Sequence, residues 1–218
     1  QMEMEFEIGG SVLGIYQKAD YDAWIAVGEW VDNAVQSYKE NKKTLQKILK
    51  DEDANCLEVK IVYEIGKKLV IRDNAAGMSE EELRLAFKMG KDKNRKKDDL
   101  GQNNAGMKSA ALWLGEKWEI KTKRFDSKIE YTTNVDAKKL FNDDFKLPLK
   151  QKTVNDNSHY TQITITEILP KRKWGASQQT KIKKYLSSMY KFFIQDGDLE
   201  LSWNNNPIEP RDLSIRKD

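Results

Sequence analysis

The sequence has little of the residue types that build disulfide frameworks, metal clusters and membrane spans. Cys56 is the only cysteine and His159 the only histidine among 218 residues. A single cysteine forms no disulfide within the chain, and the lone histidine leads us to exclude a zinc cluster and a histidine-based triad. No apolar stretch approaches the roughly 20 residues that cross a bilayer, and residues 1–10 are acidic rather than signal-like. We therefore expect a soluble, cytoplasmic protein that makes no membrane contact.

The chain nevertheless has the apolar side chains that a packed interior requires. Hydrophobic residues make up 39% of it, six tryptophans are present, and 33% of the residues are charged. This composition excludes global disorder and predicts one domain with a solvated surface. The net charge of +3 is local, because residues 88–97 hold six basic residues against one acidic residue. That tract is either a solvated loop or an anion site, and composition does not choose between them.

Hydrophobic periodicity predicts helices and strands mixed along the chain. Apolar residues recur every three or four positions between Tyr21 and about Leu49 and again from Ile182 to Phe193, which indicates helices. Capping signals around Ser79 predict another helix, which runs to Phe87. Alternating patterns predict a hairpin at 59–72, strands at 118–124, 128–135 and 161–168, and a closing hairpin at 199–208. We therefore expect an α+β fold, a two-layer sandwich in which helices cover one face of a mixed, mostly antiparallel sheet.

The first candidate site lies on the N-terminal helix, in the segment EWVDNA. Glu29 and Asn33 are four residues apart and share a helical face. Such a pair is either an ordinary solvated surface or a functional pair. In the functional interpretation, Glu29 is a general base that activates water, and Asn33 offers its amide oxygen to a hard cation such as Mg²⁺.

Two further segments are ambiguous when each is taken alone. Residues 71–78 place Asp73 at a strand end before small residues and Gly77, which is typical of a turn but also suits recognition of the exocyclic amine of a base. Residues 101–109, GQNNAGMKS, form either a generic junction or a loop whose backbone N–H groups and Lys108 bind polyphosphate at a helix start.

The order and spacing of the three segments resemble the GHKL ATPases, the superfamily of gyrase-type topoisomerases, heat-shock chaperones, mismatch-repair ATPases and histidine kinases. Within it, EWVDNA, MGKDKNR (89–95) and GQNNAGMKSAA (101–111) are most similar to motifs of the MORC-type ATPases. The resemblance covers roughly residues 10–212. It implies a Bergerat-type domain that binds ATP or ADP with Mg²⁺, hydrolyses the γ-phosphate slowly and forms a nucleotide-dependent homodimer.

The resemblance also implies a role for individual residues. Glu29 and Lys108 would be catalytic, and Asn33 would ligate Mg²⁺. Asp73 would receive the adenine amine with Thr161 nearby, and Gly77 and Met78 would lie beside the base. The remaining nucleotide contacts would come from the lid and the start of the following helix, namely Lys93, Gly101, Gln102, Asn103, Asn104, Ala105, Gly106 and Met107.

Domain organisation follows from the same resemblance. We expect residues 1–218 to form a single ATP-binding domain with a lid at 88–108 and a closing helix and hairpin at 180–210. The transducer-type domain that follows in the family is expected to be absent from this chain, and any nucleic-acid contact is expected through regions outside it.

Four positions depart from the family pattern: three glycine replacements affect local geometry and turnover more than binding, and one lid replacement adds a negative charge near the phosphates. Ala75, Asn104 and Tyr160 stand where glycines are usual, and Asp92 replaces a lid serine. His159 lies in a polar stretch before a strand, so we interpret it as a satisfied surface histidine rather than a phosphoacceptor.

Two other functions compete with the ATPase. The first is a non-hydrolysing nucleotide switch, which the presence of Glu29 disfavours. The second is a nucleic-acid module built on the lysine tract, which lacks the interleaved aromatic residues that stack on bases.

Overall fold

The computed structural model describes residues 2–5, 22–51, 54–87, 105–141 and 146–211. The helices of these residues are α1 (Ala23–Glu40), α2 (Lys42–Asp51), α3 (Glu80–Phe87), α4 (Ala105–Leu114), α5 (Ala137–Phe141), α6 (Ala176–Met189) and α7 (Lys191–Gln195). The strands are β1 (Met2–Glu5), β2 (Leu57–Glu64), β3 (Lys68–Asp73), β4 (Gly115–Lys123), β5 (Ile129–Asp136), β6 (Lys146–Thr153), β7 (Tyr160–Ile168), β8 (Leu199–Trp203) and β9 (Asn206–Pro207). A 3₁₀ turn at Pro170–Arg172 precedes α6.

The described strands form one sheet in the order β1-β6-β5-β4-β7-β3-β2-β8-β9. Neighbouring strands are antiparallel except β2 and β8, which pair in parallel with Leu57 opposite Leu199. The parallel pair is made possible by the long connection between β2 and β8, which contains strands β3 to β7 and helices α3 to α7. This confirms the expected mixed, mostly antiparallel sheet.

Alternation along the strands separates a buried face of the sheet from a polar one. Ile61, Ile71, Ile163 and Ile120 are register partners on β2, β3, β7 and β4, and each is at most 5% exposed. Their sequence neighbours point to the opposite face and are mostly half-buried polar side chains. The helices pack against the apolar face, so the two-layer sandwich predicted from the sequence is correct.

Helix α1 occupies the centre of the helical layer. Its residues Val27, Val31 and Val35 are at most 3% exposed and follow the helical spacing that the sequence predicted. It contacts α4 and α6 on either side and β2 below. Packing on three sides fixes the position of this helix relative to the sheet.

The starts of α3 and α1 are capped in different ways. Ser79 and Glu82 form the predicted reciprocal capping box, with the Ser79 N–H donating to Glu82 Oε2 at 2.7 Å and the Glu82 N–H donating to Ser79 Oγ at 3.2 Å. Asp22 stands at the N-cap of α1, but its side chain makes no capping hydrogen bond. Its carbonyl oxygen instead accepts the N–H groups of Ile25 and Ala26.

Candidate functional site

A cleft of about 230 Å³ lies between α1 and the sheet and holds several of the predicted residues. Strands β3 and β7 form its floor, α1 forms one wall, and α3 and the loop after β3 form the other. The residues of the sequence prediction that line it are Asn33, Asp73, Gly77, Met78, Met107 and Thr161. Four segments that are distant in the sequence therefore meet at this cleft.

Asp73 lies at the end of β3, half-buried in the floor of the cleft. Its Oδ1 accepts a hydrogen bond from the Ala75 N–H at 3.0 Å and another from the Thr161 N–H at 3.4 Å. Burial raises the pKa of Asp73 to about 6, against the lowering effect of these two hydrogen bonds and of the charge of Arg72. A carboxylate held in this way can accept a donor from a bound ligand.

The loop after β3 passes so close to β4 that Gly77 has no substitute. Its φ is +68°, and a Cβ placed on it would lie 2.0 Å from the carbonyl oxygen of Lys123. This approach brings the Met78 N–H to Thr122 Oγ1 at 2.8 Å. Ala75 needs no glycine, because the only described non-glycine residues with positive φ are Glu167, Asn204 and Asn205.

Thr161 is tied to this loop through a second threonine. Its Oγ1 lies 3.1 Å from Thr122 Oγ1, which also donates to the carbonyl oxygen of Tyr160 at 3.0 Å. Thr122 is completely buried and was not identified from the sequence, because an alternating strand pattern gives no sign of what a strand threonine contacts. Thr122 connects the loop after β3, β4 and β7 at one point below the cleft.

Glu29 and Asn33 both lie on α1 but face different neighbours. Asn33 is exposed and lines the cleft. Glu29 is half-buried, and its carboxylate lies against Gly106 at the start of α4, where a Cβ would be 1.9 Å from Oε2. The structure therefore brings Glu29 to the helix start that was predicted to bind phosphate.

The start of α4 contains the remaining described residues that were predicted to contact the nucleotide. Met107 lines the cleft, whereas Lys108 has no exposed surface and is not among the described residues that line it. Only the backbone of Ala105 is described, as the first residue of the helix. Lys93, Gly101, Gln102, Asn103 and Asn104 lie outside the described residues, as do Asp92 and most of the predicted lid.

The geometry agrees with a comparison of the sequence to protein families. Residues 21–161 match the family described as histidine kinase-, DNA gyrase B- and HSP90-like ATPase. The chain belongs to this family. The matched range spans α1, the hairpin with Asp73 and β4, and it ends at Thr161. The family is a GHKL ATPase family, so the superfamily part of the expected resemblance is confirmed.

Solved structures with the same fold support the assignment of the architecture to GHKL ATPases. The ATPase region of Saccharomyces cerevisiae topoisomerase II bound to ICRF-187 (dexrazoxane) matches with a TM-score of 0.60 and 13% identity over 88% of this chain and 49% of that one. A second structure of the same region matches with a TM-score of 0.60 and 12% identity over 86% of this chain and 49% of that one. At this identity the likeness concerns the fold alone, and the chain spans about half the length of these topoisomerase chains.

Two further findings concern curated sequences and the described helices. No curated protein sequence matches the chain significantly. Among the described helices, none is both long enough and apolar enough to cross a membrane.

The prediction that His159 lies on the surface is wrong, and the residue belongs to the neighbourhood of the site. His159 is only 4% exposed rather than on the surface, and its Nδ1 donates to the carbonyl oxygen of Ala75 at 2.7 Å. It thereby holds the loop that contains Gly77 from 84 positions further along the chain. The polar sequence around His159 concealed this, because burial of a loop residue depends on tertiary contacts that no periodic pattern reports.

The outer wall of the cleft contains an ion pair that the sequence did not indicate. Arg124 Nη1 lies 2.6 Å and 2.8 Å from the two carboxylate oxygens of Glu82, and both residues line the cleft. Glu82 belongs to the capping box of α3, so the pair links the start of that helix to the end of β4. Of the described residues that line the cleft, Arg124 is the only one with a positive charge.

Proposed function

We propose that this domain binds ATP with Mg²⁺ in the cleft between α1 and the sheet and hydrolyses the γ-phosphate slowly. The observation that carries the proposal is Asp73, a half-buried carboxylate at the cleft floor that is held by two backbone N–H groups and adjoins Thr161. Family membership supports the same conclusion. The residues around Asp73 each have a role in the same proposal.

Asp73 receives the exocyclic amine of adenine in this proposal. The Gly77–Met78 backbone lies beside the base, where the absence of a side chain on Gly77 permits the close approach. Thr161 lies next to Asp73 through its N–H and next to Thr122 through its hydroxyl, so it contributes to the same subsite. These contacts recognise the base and leave the phosphates to the opposite end of the cleft.

Asn33 is the one protein ligand proposed for the cation. Its side chain is exposed in the cleft, and an amide oxygen is a ligand of the kind that Mg²⁺ prefers. Among the described residues, no group of three or more histidine, cysteine, aspartate or glutamate side chains could hold a metal ion. One protein oxygen completed by water and phosphate fits Mg²⁺, which keeps several waters when bound and neutralises phosphate charge.

Glu29 is the proposed base that orients the attacking water and accepts its proton. Its contact with Gly106 places the carboxylate at the start of α4, whose backbone N–H groups and positive dipole end favour phosphate. Lys108, buried one turn into the same helix, adds positive charge near the developing charge on the phosphoryl oxygens. Lys93, Gly101, Gln102, Asn103, Asn104, Ala105, Gly106 and Met107 complete the phosphate contacts in this proposal.

We further propose a MORC-like role, in which nucleotide closes the lid and drives dimerisation within a larger cytoplasmic machine. Sequence similarity of residues 29–34, 89–95 and 101–111 to MORC-type motifs supports this branch.

The alternative is a switch that binds nucleotide without hydrolysing it, and substitutions on α1 separate the two functions. Glu29→Gln should keep ATP affinity within a few-fold and slow hydrolysis by about 10²-fold or more, because a general base contributes in that range. Asn33→Ala should remove the Mg²⁺ dependence of binding. Calorimetric titration with ADP and a non-hydrolysable ATP analogue, with and without Mg²⁺, measures binding, and phosphate release measures hydrolysis.

The outcomes of this experiment are distinct. Hydrolysis by Glu29→Gln at the parental rate would exclude Glu29 as the base, and nucleotide binding without phosphate release by the unmodified protein would favour the switch. Absence of nucleotide binding by the unmodified protein would contradict both functions.

A further inference from the structure

The helical turn that contains Glu29 is held on two sides by different helices. On one side, the Glu29 carboxylate lies against Gly106 of α4. On the other side is Tyr190, at the junction of α6 and α7, where it is 3% exposed. Its hydroxyl lies 2.8 Å from Asp32 Oδ1 and 3.1 Å from the carbonyl oxygen of Gly28.

The two residues that the Tyr190 hydroxyl contacts, Gly28 and Asp32, lie on either side of Glu29 in the sequence. Gly28 and Asp32 are four residues apart, so both face α6 from the same side of α1. Glu29 is one residue after Gly28 and therefore projects about 100° round the helix from it. A hydroxyl proton shared between these two acceptor oxygens restricts rotation of α1 about its axis, and such a rotation would move the Glu29 carboxylate sideways.

Tyr190 also affects which polar side chain of α1 reaches the cleft. Asp32 and Asn33 are adjacent, and the hydrogen bond from Tyr190 directs the Asp32 carboxylate toward α6. Asn33 lines the cleft and Asp32 does not. Without this bond, the Asp32 carboxylate would be free to adopt other rotamers.

A second contact fixes the same helix pair one turn earlier. Trp24 of α1 stacks on Tyr185 of α6 with ring centroids 4.6 Å apart and an interplanar angle of 16°. The stack holds the distance between the helices through apolar rings. The hydroxyl of Tyr190 adds a directional hydrogen bond. Such a bond orients the helical turn that contains Glu29, and a catalytic base requires a fixed orientation.

We propose that Tyr190 is a positioning residue for the reaction, which holds the Glu29 turn of α1 through Asp32 and Gly28. The inference rests on the proposed ATPase function and adds to it a residue beyond the three sequence motifs, on the helix junction that follows the matched family range. Because Tyr190 touches neither nucleotide nor water in this scheme, its loss affects catalysis through the placement of Glu29. A misplacement of about 1 Å can cost up to about 10²-fold in rate.

Removal of one oxygen atom tests the proposal. Tyr190→Phe should lower kcat by about tenfold and leave the affinity for a non-hydrolysable ATP analogue within about twofold. Tyr185→Phe is the matched control on the same helix, because it keeps the ring that stacks on Trp24, and it should retain the parental kcat. Phosphate release gives kcat and KM, calorimetry gives affinity, and circular dichroism verifies that each variant has the parental thermal midpoint within a few degrees.

A pair of Asp32 variants gives a second test, which does not require the Tyr190→Phe variant to fold normally. Asp32→Asn keeps an oxygen that accepts the Tyr190 hydroxyl, whereas Asp32→Ala keeps none. Both remove the charge, so a kcat that is several-fold higher in Asp32→Asn than in Asp32→Ala supports the hydrogen bond as the cause.

Other outcomes overturn the inference. A parental kcat in Tyr190→Phe, equal rates in the two Asp32 variants, or a parallel loss of affinity and kcat would each remove Tyr190 as a positioning residue while the ATPase function stands. Absence of both ATP binding and hydrolysis in the unmodified protein would instead contradict the proposed function, and this inference with it.

Discussion

At the scale of single residues, Asp73 shows how one side chain combines a structural cost with a binding function. Its carboxylate accepts two backbone N–H groups and lies where burial raises its pKa to about 6. In the unfolded chain an aspartate titrates near 3.9. The folded state therefore binds more protons than the unfolded state between these values, and the Asp73 contribution to the free energy of unfolding falls as pH rises through that interval.

Asp73→Asn should separate these two properties. The amide oxygen can still accept both N–H groups, so the variant should fold, and its free energy of unfolding relative to the parent should rise between pH 4 and pH 7. Nucleotide binding should become undetectable, because an amide turned toward adenine presents a donor to a donor, at a cost of about 1–3 kcal/mol or more. Urea denaturation across pH and calorimetry test both parts. Unchanged affinity would exclude Asp73 from the site.

Gly77 illustrates a position whose residue type is dictated by a backbone contact. A methyl group there would meet the Lys123 carbonyl oxygen at 2.0 Å with φ at +68°, and neither backbone can move without disturbing the sheet. Gly197 has φ of +73° with no atom within 4 Å of such a methyl group, so it is the matched control.

Gly77→Ala should lower the free energy of unfolding by about 2–5 kcal/mol, the sum of backbone strain and overpacking. Gly197→Ala should lower it by only about 1–2 kcal/mol, from strain alone. Urea denaturation of both variants measures the difference. Equal losses would mean that the loop after β3 yields and that the close approach to β4 is not required.

At the scale of secondary-structure elements, the sequence predicted those whose patterns are regular and local. The hairpin β2–β3, the capping box of α3 and the helical stripes of α1 and α6 are all present. Strand β6 was missed, because Pro148 and four basic or amide residues interrupt its alternation. The structure accommodates Pro148 opposite Glu3 of β1, a four-residue strand at the sheet edge. Such pairing is non-local, so local patterns do not report it.

The candidate site was predictable to a similar extent. Residues within motifs, such as Asn33 and Asp73, line the cleft together with Thr161, which the family resemblance indicated. Supporting residues such as Thr122, His159 and Arg124 were missed because each acts through a partner more than 35 positions away in the sequence. The sequence identified residues that carry a motif, and the fold was needed to find the residues that hold them in place.

The contact between α1 and α4 yields a prediction about how elements position chemistry. In Gly106→Ala the new methyl group would lie 1.9 Å from Glu29 Oε2, and the end of a flexible side chain yields more easily than backbone. The fold should therefore persist while the Glu29 carboxylate moves, and ATP hydrolysis should fall by about tenfold or more. Gly175→Ala, where no atom lies within 4 Å of a methyl group, should retain the parental rate. Phosphate release and thermal unfolding test this. A parental rate in Gly106→Ala would mean that Glu29 is not held at α4.

At the scale of the whole molecule, the cleft joins the helical layer to the sheet layer. Its lining comes from α1, α3, α4, β3 and β7, which are brought together by the central position of α1 and by the antiparallel pairing of β3 with β7. Strands β1, β8 and β9 lie at the two edges of the sheet, away from the cleft. A ligand in the cleft therefore bridges the two layers at the middle of the sheet, and its binding is expected to stabilise their association.

This arrangement predicts a graded effect of nucleotide on stability. A ligand that binds only the folded state adds RT ln(1 + [L]/Kd), which is about 2.7 kcal/mol at a hundredfold excess over Kd. A non-hydrolysable ATP analogue with Mg²⁺ should raise the thermal midpoint accordingly, and hydrogen exchange should slow most in α1, β3 and β7 and least in β8 and β9. Asp73→Asn, which keeps the fold and loses adenine recognition, is the control and should show neither change.

The same samples test the proposed dimer by sedimentation. The ATP analogue should shift the protein toward a two-fold dimer and ADP should not, because only the triphosphate would favour lid closure. Residues 88–104, which make up most of the predicted lid, lie outside the described residues, so sedimentation tests the dimer. A monomer in all conditions would contradict nucleotide-driven dimerisation. A monomer that also turned over tens of ATP molecules per second would contradict slow hydrolysis.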